Sequence, residues 1–136
     1  MKTMIYSVAL VFTLFASCAF ADCGAKLVVN CQESEQISAA GQTFNSLQTV
    51  QVFQEQDGSY RYSASVTPTD NSGALGAPTY SSSGKLTTIG DEFGNAFETS
   101  DGSVRFAYIG CGHLYDFEDQ NHDMGMMFRP DSCQFN

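Results

Sequence analysis

Positive charge is scarce in this sequence. Six Lys and Arg stand against fifteen Asp and Glu, giving a formal charge of −9. An acidic surface repels phosphate, so nucleic acid and anionic membrane are poor partners, and cationic groups or metal cations are better ones. Catalytic signatures are missing too. There is no G-x-S-x-G, no P-loop and no H-E-x-x-H. Only His113 and His122 can serve as an imidazole base, and no nucleophile–base constellation is legible around them. Asp91 and Glu92 are adjacent, and on a strand adjacent side chains point to opposite faces. The chain therefore does not read as an enzyme. The absence of Cys-x-x-Cys argues against structural zinc, and no Asn-x-Ser/Thr sequon occurs.

Long apolar runs are absent beyond the N-terminus. There, Lys2 is followed by a run from Ile5 to Ala16 broken by Ser7 and Thr13, then by Ala19-Phe20-Ala21. This order is that of a secretory signal with cleavage after Ala21. The run is shorter than the roughly 20 residues a membrane span needs. A competing reading uses Leu14 to Cys18, which is similar to the lipobox of bacterial lipoproteins, with Phe15 where Leu is usual; Cys18 would then carry lipid. Both readings send the chain out of the cytosol, to the periplasm, the exterior or a lipid anchor. Residues 22–136 then form a single domain with no transmembrane segment.

Export leaves Cys23, Cys31, Cys111 and Cys133, an even set that predicts two disulfides. Ala25 to Asn30 reads as a strand, which separates Cys23 from Cys31 by roughly 26 Å. A disulfide needs Cα atoms about 5.5 Å apart. Pairing Cys23 with Cys31 is excluded, and with it Cys111 with Cys133. The two surviving connectivities both tie the first strand to the C-terminal half.

The rest reads as strands and turns. The first strand lies near residues 25–32, and Glu33 to Gly41 reads as a helical turn or loop. Val50 and Val52 alternate with Gln51. Asp57-Gly58 predicts a two-residue hairpin turn. After it, Tyr60, Tyr62, Ala64 and Val66 alternate with Arg61, Ser63 and Ser65, a period of two. Pro68 to Gly84 reads as a long Gly/Ser/Pro loop. Asp101-Gly102 repeats the turn signal, and the strand from Val104 to Ile109 is apolar enough to be covered on both faces. No segment holds a helical period. The expected fold is all-β: one small antiparallel barrel or sandwich of about six to eight strands.

Chemistry-bearing residues concentrate between Cys111 and Phe128. His113, Asp119, His122, Asp123 and Met124 are the candidate metal ligands. Asp119, Asn121 and Asp123 form the start of a calcium ladder, without the Gly and Glu that complete it. The histidines with Met124, Met126 and Met127 offer a copper set, with His122 and Met124 on one side of a strand. The plainer alternative is a solvated acidic loop that holds no cofactor. The leading functional expectation is a non-enzymatic exported binding module for a protein or small ligand, cationic if anything. An inhibitor of a cationic secreted enzyme is one form it could take. Its candidate surface is Tyr60, Tyr62, Tyr115 and the tyrosine of the Thr79-Tyr80 pair, all expected to be exposed.

Overall fold

Nine strands follow one another along the chain in a computed structural model, which describes residues 24–39, 41–69, 79–89, 96–109 and 113–136. They are β1 (Lys26–Ala39), β2 (Gln42–Gln54), β3 (Tyr60–Pro68), β4 (Tyr80–Thr88), β5 (Phe97–Glu98), β6 (Val104–Ile109), β7 (Leu114–Asp119), β8 (Met124–Phe128) and β9 (Cys133–Phe135). A 3-10 turn, Pro130–Ser132, separates β8 from β9. All pairings are antiparallel, in the order β8-β7-β6-β5-β4-β3-β2-β1-β9, and the sheet curls into a nearly closed barrel. The all-β expectation holds, with nine strands rather than six to eight. No helix among the described residues is long and apolar enough to cross a membrane. The signal region, Cys18, Cys23, Cys111, Asp91, Glu92 and residues 70–78 of the loop after Pro68 lie outside the described residues; Tyr80 to Gly84, expected to end that loop, instead form the first half of β4, opposite Val66 to Tyr62 of β3.

Two local expectations are corrected. Residues 33–39 are neither helical turn nor loop; they extend β1 to fourteen residues. Their apolar content is low, but Glu33 to Ala39 pair residue by residue with Gln48 to Gln42. The long partner β2 supplies the ladder that local composition does not suggest. The second correction concerns the turns. Gly58 N donates to Glu55 O at 3.0 Å and Glu55 N to Ser59 O at 2.8 Å, so three residues form the loop. Gly58 sits at φ 87° as the bulge that closes it. Asp57 Oδ1 accepts from Ser59 N at 2.9 Å and from Ser59 Oγ at 2.6 Å. The second turn repeats this, with Asp101 Oδ1 accepting from Ser103 N at 3.0 Å and Oγ at 2.7 Å, and Gly102 at φ 72°. The recurring Asp-Gly-Ser is shared turn chemistry. The Ser103 hydroxyl, with its backbone N–H and Thr99, lowers the Asp101 carboxyl to about 2.

The period of two fills the barrel. Val50, Val52, Tyr62, Ala64 and Val66 all point inward and are buried. Phe106, Phe117, Met126 and Phe128 complete the interior. The β6 strand is covered on one face only: Val104 and Phe106 are buried and Arg105 is exposed. Truncating one of these rings to Ala costs about 3–5 kcal/mol through lost contacts and a cavity. Cys31 and Cys133 form a disulfide across β1 and β9, at a sequence separation of 102. This is one of the pairings the strand argument leaves open; of the two disulfides expected, one is seen among the described residues, which do not include Cys23 and Cys111. A loop of that length is worth about 4–5 kcal/mol in the chain-entropy model.

Candidate functional site

The barrel does not close along β1. From Met124 to Phe135 the chain runs antiparallel beside β1, but only Cys133–Phe135 joins its ladder, opposite Val29–Cys31. Asn136 N donates to Val28 O at 3.0 Å. Antiparallel alternation then directs the main chain of even-numbered β1 residues toward this seam. Asn30 faces β9. Gln32, Ser34, Gln36 and Ser38 face the same side beyond the reach of β9 and have no ladder partner there among the described residues. Arg129 fastens the boundary: its Nε donates to Glu33 Oε1 at 2.6 Å and its N–H to Glu33 Oε2 at 3.3 Å.

Past that fastening the two strands diverge around a cleft of about 580 Å³. One wall comes from Glu35, Gln36 and Ile37 of β1 with Gln48 of β2; the other comes from Met124, Gly125 and Met127 of β8 with Asp116 and Glu118 of β7. Val66 and Tyr80 form its depth. The cleft is thus apolar within and acidic at its rim. Met127 is 56% exposed and offers apolar surface at the rim.

Two polar groups in this cleft lack compensation. Burial raises the Asp116 carboxyl to about 6, the nearby Glu118 charge and hydrogen bond add to this, and Arg105 opposes them only in part. Gln48 is 5% exposed; its Nε2 donates to Glu35 Oε2, while its Oε1 has no hydrogen-bond partner among the described residues. An unmade hydrogen bond at a buried acceptor costs about 1–3 kcal/mol.

Beside the cleft lies a satisfied network. Asp119 is 1% exposed at the end of β7. Tyr80 Oη donates to its Oδ2 at 2.6 Å, His122 Nδ1 donates to the same oxygen at 2.7 Å, and Asn121 N donates to Oδ1 at 3.0 Å. Burial alone would raise this carboxyl; the hydrogen bonds and the His122 charge outweigh it and hold it below the ordinary carboxylate range. Burial, and then the bond given to Asp119, push the Tyr80 hydroxyl well above its ordinary value.

The predicted ligands are brought together only in part: Asp119 and His122 share a hydrogen bond, and His113 does not join them. His113 precedes β7 and bonds to Tyr108 Oη through Nδ1 at 3.1 Å. Asp119 and His122 are at the other end of that six-residue strand, roughly 20 Å away at ordinary strand rise. His122 occupies the turn before β8, so it does not share a strand face with Met124. Asp123 is exposed with φ 50° in the same turn, and Met124 is packed against the core. Among the described residues no three His, Cys, Asp or Glu side chains cluster as a metal site.

The tyrosines are corrected as well. Tyr62 and Tyr80 are 3% and 8% exposed, because both take inward positions of the period-two pattern. Tyr60 packs on Phe97, and Tyr115 on Phe106 and Phe135. The sequence reading missed Glu35, Ile37, Gln48 and Gly125. A signal existed for Gln48: it shares the inward register of Phe44, Ser46, Val50 and Val52, where a polar residue is out of place.

Compared with protein-family models, curated proteins and solved structures, the chain matches none.

Proposed function

We propose that the chain is an exported, non-enzymatic binding module whose seam cleft takes a ligand carrying a cationic N–H group beside an apolar one. Gln48 carries this reading. A buried acceptor without a partner among the described residues, at a cleft open to solvent, suits an incoming donor. Burial and the neighbouring Glu118 charge disfavour the Asp116 carboxylate, Arg105 offsets them only in part, and a bound cation supplies further counter-charge. Ile37, Val66 and Met127 offer the apolar contact. An all-β fold carrying a disulfide is compatible with export. A basic side chain of a secreted enzyme, presented with an apolar neighbour, is one ligand of this class.

Titration with phenethylammonium, monitored at the Gln48 side-chain amide by NMR, tests it. A saturable shift is expected, weakened about tenfold in the double variant Asp116→Asn, Glu118→Gln. An equal response to neutral N-acetylphenethylamine, or none to the cation, contradicts the reading.

A further inference from the structure

The cleft is bordered by something a small cation does not use: a strand edge. Gln32, Ser34, Gln36 and Ser38 direct main-chain donors and acceptors along it, at a repeat of about 6.8 Å, which is two strand residues. Free edges are usually blunted by proline, lysine or a bulge. No proline, lysine or bulge occurs between Gln32 and Ser38, the register shift of β1 lying earlier, between Leu27 and Val29; the charges on this stretch are Glu33 and Glu35, which deter an acidic strand and admit a basic one.

We infer that the occupant of the seam is an extended basic peptide segment that adds to the edge of β1 as a strand. This rests on the cationic cleft proposed above and deepens it. Strand addition draws affinity from main-chain hydrogen bonds and specificity from alternate side chains. Here the alternate side chains of β1 that flank the cleft are Glu35 and Ile37, across from Asp116, Glu118 and Met127. A segment alternating Lys or Arg with an apolar residue meets both kinds of wall. A second copy of this chain does not fit. Its β1 edge would bring Glu33 and Glu35 against their own kind, on a chain of formal charge −9, and like charges facing across strands destabilise the pair.

The probe is the capped peptide Lys-Val-Lys-Val-Lys-Val-Lys, compared with two analogues N-methylated at alternate positions and with its glutamate counterpart. Amide hydrogen exchange is read at Ser34 and Gln36. The parent peptide should bind and slow both amides by about tenfold or more, and at least one methylated analogue should bind about tenfold more weakly. The glutamate peptide should not bind. Gly125→Phe supplies a second variant. A Cβ at Gly125 meets no atom within 4 Å, so the ring enters open space at the cleft wall and should weaken the peptide without unfolding the barrel. If both methylated analogues bind like the parent and exchange at Ser34 and Gln36 is unchanged, strand addition is wrong. In that case a persisting Gln48 response to phenethylammonium leaves the cationic cleft standing, and loss of that response removes both. Equal binding by the glutamate peptide overturns the charge preference.

Discussion

One strand, β1, meets the seam in two different ways. Over Val29–Cys31 it is closed by a ladder, a disulfide and, just beyond, the Glu33–Arg129 ion pair. Over Gln32–Ser38 the same strand has no seam-side ladder partner among the described residues, and its Glu35–Ile37 line a cleft with an acidic rim. Both stretches pair with β2; what differs is the partner on the seam side. Pro130 has no N–H to give to a ladder, and the 3-10 turn it begins separates β8 from β9. The short β9 then closes three residues of β1 and no more. A small barrel can thus be fastened at one end of a seam and left able to receive a ligand at the other.

The largest way to break this contrast is to remove the fastening. Cys31→Ser with Cys133→Ser should cost about 4 kcal/mol, which lowers the Tm by more than about 10 °C. Calorimetry checks this. A Tm unchanged by the pair would mean that the ladder alone holds the seam.

Asp119→Ala comes next. It leaves the Tyr80 hydroxyl and the His122 ring without their acceptor, and a loss of about 2–3 kcal/mol is expected. The wild-type carboxyl is held below its ordinary value. Its contribution is therefore present above about pH 4, the unfolded value, and disappears as pH falls further. Denaturant melts of wild type and variant should converge in acid.

Asp116→Asn sharpens the open half and should act in the opposite direction. A carboxyl raised to about 6 in the folded chain disfavours the fold at neutral pH. The penalty vanishes below about pH 4, where folded and unfolded forms are both protonated. The variant should gain about 0.5–1 kcal/mol at pH 7, after allowance for solvent screening, and nothing at pH 4. It should also weaken cation binding. For the wild type, that affinity should fall as pH drops through about 6.

The smallest effect belongs to Arg129→Ala. Its side chain is 66% exposed in the pair with Glu33, so a cost below about 1 kcal/mol is expected in urea melts. A cost of several kcal/mol would show that the boundary of the cleft, and not the disulfide, holds the barrel shut.

Much of the fold was legible because the interior is written with period two. Tyr62, Ala64 and Val66 declare their face, and Asp-Gly-Ser declares the turns. The strand over Glu33–Ala39 was not legible, since its stability resides in β2, far along the chain. The cleft was less legible still. Asp116 and Glu118 stood out as acidic, but their neighbours Glu35 and Gln48 reach them only through barrel curvature. The tyrosines misled because an amphipathic ring suits both an interface and a core, and here the inward register of Tyr62 and Tyr80 decides for the core. His113 and His122 are near in sequence, yet one extended strand keeps them apart.

The seam itself is tested most directly by native-state amide exchange along β1. Asn30 faces β9, and Glu33, Glu35 and Ile37 face β2, so all four should be protected. Ser34, Gln36 and Ser38 should exchange about a hundredfold faster or more, as edge amides without a ladder partner among the described residues. Uniform protection along the whole strand would mean that the seam is closed, and the cleft would lose its edge.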